Sequence, residues 1–123
     1  MYDITFDAPR RTLQLTLEGF WSVATLARFS AELLVKAAAA RARHGSFAIL
    51  SDSTRFPVQS IEVARGFERI MAGGAEVQSG PTAIVVASVL NKLQAERSLQ
   101  GPRLRVFLSA QDARDWLDAE MRR

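Results

Sequence analysis

Tyr2, Ile4 and Phe6 alternate with Asp3, Thr5 and Asp7, and Leu13, Leu15 and Leu17 alternate with Thr12, Gln14, Thr16 and Glu18. Successive side chains point to opposite faces of a strand, so both segments predict strands with one apolar and one wet face. Only Ala8-Pro9-Arg10-Arg11 separates them. Pro9 suits a turn position, and so short a link predicts an antiparallel hairpin. From Ser22 to about Arg43 the period lengthens, with Val23, Leu26, Phe29, Leu33, Ala37 and Ala40 on one helical stripe. Ser22 is the expected N-cap and Gly45 the expected stop. Arg28, Glu32 and Lys36 lie four apart on the opposite side, where they can support one another as exposed ion pairs.

Phe47 to Leu50 predicts a third strand, and Ser51 to Gln59 a loop containing Pro57. A second helix is predicted from about Ser60 to Met71, with Val63, Phe67, Ile70 and Met71 as its stripe and Gly73-Gly74 as its end. Thr82 to Ala87 is a near-continuous aliphatic run, as expected of a strand covered on both faces. A third helix, about Ser88 to Leu99, carries a narrow stripe of Val89, Leu90 and Leu93 and closes at Gly101-Pro102. Leu104 to Leu108 predicts the last strand, and Ser109 caps a final helix whose inward side is Ala113, Trp116, Leu117 and Met121. There is no internal repeat and no low-complexity linker. The order predicts an α/β fold with right-handed crossovers: a mostly parallel five-stranded sheet, an antiparallel N-terminal edge strand and four main helices. The wet faces of the first two strands predict that helices cover the sheet unevenly.

A length of 123 residues with 48% hydrophobic content supports one core without disulfides or metal, so residues 1–123 are expected to form one domain. Apolar stretches such as Ala83 to Leu90 fall far short of the roughly 20 residues a membrane helix needs. Met1-Tyr2-Asp3 begins no signal peptide, and the expected location is the cytoplasm. The absence of cysteine removes disulfides, thiolate nucleophiles and zinc-thiolate sites and fits a reducing compartment. The sequence pI is near 10.2, yet the net charge is only +3 and the basic pairs, such as Arg10-Arg11 and Arg122-Arg123, are scattered. A nucleic-acid domain gathers such charges on one face with interleaved aromatics, so no nucleic-acid partner is expected.

His44, the single histidine, follows the long helix, where a cation complements the negative end of the helix dipole. That role outweighs catalysis. With no second histidine and no cluster of His, Asp and Glu at ligand spacing, neither a catalytic residue, a metal nor a cofactor is expected. Asp52, Ser53, Thr54 and Arg55 follow a central strand, where the crevice beyond the strand C-termini is the favoured ligand position of open parallel sheets. Ser88 and Asn91 follow the next strand and belong nearby. A carboxylate, hydroxyls and a guanidinium can hold a polar ligand or a partner loop, but the same residue types build ordinary turns, and the turn role carries more weight. Phe20 and Trp21 come at the same end of the sheet. They either close the core or line an apolar pocket with Phe56 and Met71 that suits a fatty or aromatic ligand. Gly73-Gly74 lacks the Gly-rich fingerprint and following Lys of a phosphate loop.

The segment Val106-Phe107-Leu108-Ser109-Ala110-Gln111-Asp112-Ala113-Arg114-Asp115-Trp116-Leu117 resembles the strand, cap and Ala-x-x-Trp-Leu helix that end many members of the SpoIIAA-like, or STAS-like, family of bacterial proteins. Beside it stand Leu15-Thr16-Leu17-Glu18-Gly19, Ile49-Leu50-Ser51-Asp52 and Ala83-Ile84-Val85-Val86, so the resemblance covers nearly the whole chain. It rests on core and capping positions and argues fold more than function. The resemblance implies a SpoIIAA-like β/α superhelix and a role in protein interaction. Anti-sigma-factor-antagonist members carry a phosphorylatable serine in an Asp-Ser-Ser-Gly motif, whereas the corresponding stretch here reads Pro57-Val58-Gln59-Ser60-Ile61-Glu62. The motif is absent, and Ser60 is the hydroxyl nearest its place. The broader fold resembles lipid-carrying CRAL-TRIO domains.

The first functional expectation is a non-catalytic cytoplasmic module that binds a protein partner or forms a homodimer through an exposed edge or helix face. The second is a carrier or sensor of a small apolar, lipid-like ligand, and the third a cofactor-free enzyme with Asp52 or Glu62 as base. An enclosed apolar cavity distinguishes the second from the first.

Overall fold

A computed structural model describes residues 1–77, 80–99, 101 and 103–122, with the backbone alone for residues 74–77. The elements follow in the order β1 (Tyr2–Asp7), β2 (Thr12–Glu18), α1 (Val23–His44), β3 (Ala48–Arg55), α2 (Ile61–Val77), β4 (Thr82–Val85), α3 (Val89–Ser98), β5 (Leu104–Phe107) and α4 (Ala110–Met121). The five strands form one sheet in chain order, β1-β2-β3-β4-β5. The β1–β2 pair is antiparallel, with Ile4 opposite Leu15, and the other three pairs are parallel. Arg11, at φ 48°, takes the left-handed turn position of the hairpin, and its N–H donates to the Ala8 carbonyl at 3.1 Å.

Strands laid down in one direction with crossovers of one hand place successive helices on one face. Accordingly Leu26 and Phe29 of α1 and Val63 of α2 pack with Leu13, Leu15 and Ile49, and on the same face Ala95 and Leu99 pack with Ile84, Val86 and Val106. α4 lies on the other face, Ala113 and Leu117 meeting Ala48, Leu50, Ala83 and Val85. That face of β1 and β2 stays largely polar, the uneven coverage their alternation predicts.

Several expectations need correction. β3 does not end at Leu50 but runs to Arg55, because β2 and β4 pair with it on both sides as far as Asp52 and β2 pairs again at Arg55, which carries polar residues into the ladder. α2 does not stop at Gly73-Gly74 but continues to Val77; an interior glycine costs about 1 kcal/mol relative to alanine, too little to end a helix held by tertiary packing. The stripe assigned to α3 faces solvent, Val89, Leu90 and Leu93 being 61%, 63% and 54% exposed. Val23 is likewise exposed. Trp116 is only partly buried, beside Phe107 at 5.7 Å between ring centroids, so Ala113 and Leu117 are the buried anchors of α4. Lys36 pairs with Glu32 at 3.4 Å and donates to the Ile4 carbonyl at 2.8 Å, which leaves Arg28 outside the expected ladder.

An apolar cleft between α2 and α3

Gly66 brings α2 tightly onto α1, since a Cβ there would overlap the Leu26 side chain. α3 is drawn instead to the β4–β5 edge by Ala95 and Leu99. Between α2 and α3 lies a cleft of about 390 Å³. Its floor is Ile49, Ser51 and Ser53 of β3 with Thr82, Ile84 and Val86 of the next strand and its end. Period-2 alternation aims these side chains to one face, because Ile49 pairs with Thr82 and Ser51 with Ile84. One wall is α2, with Ala64, Phe67, Ile70 and Met71; the other is α3, with Asn91, Gln94, Arg97 and Ser98. Val58, Ala64, Gln94, Arg97 and Ser98 are exposed at the rim, so the cleft opens to solvent rather than being sealed.

The floor sets the aliphatic Ile49, Ile84 and Val86 beside the hydroxyls of Ser51, Ser53 and Thr82. Ser51 and Ser53 are buried, and their Oγ atoms lie 3.3 Å apart. A hydroxyl offers one donor and two acceptors, so this single bond leaves capacity for a guest molecule.

One end of the cleft leans on a cluster of rings. Trp21 lies within 5.1–5.6 Å of the centroids of Tyr2, Phe29, Phe56 and Phe67. Phe56 and Phe67 also line the cleft, so the cluster stiffens that wall. Gln59 ties the same end together: its Oε1 accepts from the Trp21 N–H at 2.8 Å, and its Nε2 donates to the carbonyls of Gly19 at 3.0 Å and Pro57 at 2.7 Å. The Trp21 indole N–H donates to the Glu18 carbonyl at 3.0 Å.

A crystal structure of an uncharacterized DUF3478-family protein with a SpoIIAA-like fold, from Shewanella loihica PV-4, superposes on this chain with a TM-score of 0.68. The match covers 94% of this chain and 93% of that one at 17% identity. The fold is SpoIIAA-like. No family model and no curated protein matches the sequence.

The residues singled out in the sequence part company in this SpoIIAA-like domain. Ser53, Phe56 and Met71 line the cleft. Trp21 is 6% exposed and closes the core behind it, whereas Phe20 is 81% exposed and touches neither. Asp52 and Thr54 lie on the opposite side of β3 from Ser53; the Asp52 carboxylate accepts from the Thr54 N–H at 3.1 Å and from its hydroxyl at 2.7 Å. Arg55 is exposed at the strand end, where its carbonyl accepts from Gly19 N–H at 3.0 Å. Ser60 and Ser88 cap α2 and α3, accepting from Val63 N–H at 3.3 Å and Asn91 N–H at 3.1 Å. His44, in the last turn of α1, stacks on Phe6 at 4.7 Å. Sequence reasoning missed Ser51, Thr82, Gln94 and Arg97. A legible signal existed for Ser51: Ser51-x-Ser53 continues the alternation of Ile49 at positions the sheet buries.

Proposed function

We propose that this domain is a non-catalytic binding module that holds a small, largely apolar molecule in the cleft between α2 and α3. The cleft is open at its rim rather than enclosed, and its size and chemistry support the reading: its volume lies within the roughly 300–1,000 Å³ of small-molecule sites, and it joins an apolar lining to a few convergent polar groups, as such sites do. Among the described residues its lining holds no carboxylate, and Asp52 and Glu62 lie outside it, so the enzymatic alternative has no base at the cavity. The exposed Val89, Leu90 and Leu93 of α3 favour a second reading, a protein partner or second copy covering that helix.

Native mass spectrometry of freshly purified protein tests both readings at once. A retained small-molecule adduct is the expected result for the first, and a stable homodimer for the second. Nile red, a neutral apolar dye, supplies a solution test. Wild type is expected to bind it, and Ala64→Trp, which places an indole at the cleft mouth, is expected to abolish binding with little change in thermal unfolding. Dye binding indifferent to Ala64→Trp, with no adduct, would overturn the ligand reading.

A further inference from the structure

We infer that the occupant of this cleft is an amphipathic molecule with a single anionic head, a carboxylate or similar oxyanion, that pairs with Arg97; the inference rests on the ligand-binding reading above. The two walls differ in kind. Ala64, Phe67, Ile70 and Met71 on α2 present no hydrogen-bonding side chain to the cavity, whereas on α3 Asn91, Gln94, Arg97 and Ser98 are polar and Ala95 alone is not. Spacings of three and four residues set this polar row along one side of the helix. Arg97 is the one ionisable side chain among the described lining residues.

Neighbouring cations are already engaged. Lys92 pairs with Glu96 at 3.1 Å, and Arg103 with Glu120 at 3.9 Å. Arg97 makes no ion pair or hydrogen bond among the described residues. A guanidinium offers five donors in a planar fork that matches an oxyanion.

Topology sets the orientation of the guest. α3 returns from the end of β4 to the start of β5, so Arg97, in its last turn, lies toward the Thr82 end of the floor. A head held there directs an apolar tail along β3 and β4 toward Pro57 and Val58, past Ile84 and Val86. The span from Thr82 to Val86 is about 13 Å at roughly 3.3 Å per residue, long enough for an extended medium-length alkyl chain. A basic residue in the last turn also complements the helix dipole. That role concerns stability alone and gives no preference between ligand head groups, so head-group preference is the quantity to measure.

Decanoate, decanol and decyltrimethylammonium, each below its aggregation concentration, are the probes, read by displacement of Nile red at fixed salt. Wild type is expected to bind decanoate about tenfold more tightly than decanol, as one charge-assisted hydrogen-bonded contact provides, and decyltrimethylammonium least. Arg97→Gln is expected to bring decanoate to the level of decanol while decanol itself is unchanged, and Arg97→Lys to keep part of the preference. Equal binding of decanoate and decanol by wild type, or a preference that survives Arg97→Gln, overturns the inference and leaves the ligand reading standing. Failure of all three to bind, and of Nile red with them, overturns both.

Discussion

On one face of the sheet, α4 lays Ala113 and Leu117 onto Ala48, Leu50, Ala83 and Val85, with Trp116 and Phe107 along the margin. On the other, three helices cover the strands and still leave a cleft of about 390 Å³. The number of helices therefore does not decide whether a face is sealed. On the α4 face aliphatic side chains meet aliphatic side chains, small ones where the helix comes close. On the cleft face Gly66 pulls α2 toward α1 and Ala95 and Leu99 pull α3 toward β4 and β5, while Ser51, Ser53 and Thr82 are too short to fill the floor between. The large apolar residues that could have filled it from α3, Leu90 and Leu93, point to solvent.

This contrast can be broken by experiment, and its strongest point is the ring cluster that supports one end of the open face. Trp21→Ala removes the centre of that cluster and is expected to cost about 3–5 kcal/mol in denaturant unfolding. A loss below about 1 kcal/mol would show that the cleft wall stands without it. Next in size is a matched pair. Leu117→Ala on the closed face leaves a buried cavity and is expected to cost about 2–5 kcal/mol. Ile70→Ala, on a partly buried side chain already beside open space, loses transfer free energy with little cavity term, about 1 kcal/mol. Equal losses at the two positions would mean that the two faces are packed alike. The smallest effect has the opposite sign: Gly73→Ala lies in α2, where an added Cβ meets nothing within 4 Å, so a stabilisation of about 0.5–1 kcal/mol is expected.

Much of the fold is legible residue by residue. The alternations from Tyr2 to Phe6 and from Leu13 to Leu17 describe strands whose apolar side is the one buried, and Ser22, Ser88 and Ser109 each cap the helix they introduce, accepting from the backbone N–H three residues on. Errors fall where local preference and tertiary context disagree. Ser51 to Arg55 has the composition of a loop, yet its neighbours in the sheet pair with it on both sides as far as Asp52, and β2 alone carries β3 on to Arg55. Gly73-Gly74 has the composition of a stop, yet α2 continues. Of the residues assigned to a pocket, Phe56 and Met71 reached it, Trp21 went to the core behind and Phe20 to solvent.

Periodicity, caps and connection lengths act over a few residues, which is why the sequence by itself determined the order of elements, the antiparallel edge and the parallel remainder, while the SpoIIAA-like class was legible through a resemblance at core and capping positions. The cleft is a relation between distant segments: α2 and α3 have no common periodicity that states how far apart they lie. Their separation is decided by where Gly66 permits close approach to Leu26 and where Ala95 and Leu99 find the sheet. Only the tertiary structure therefore sets Ser51 and Ser53 on the floor, Phe67 on one wall and Arg97 on the other, because burial and proximity belong to the packed whole rather than to any stretch of chain.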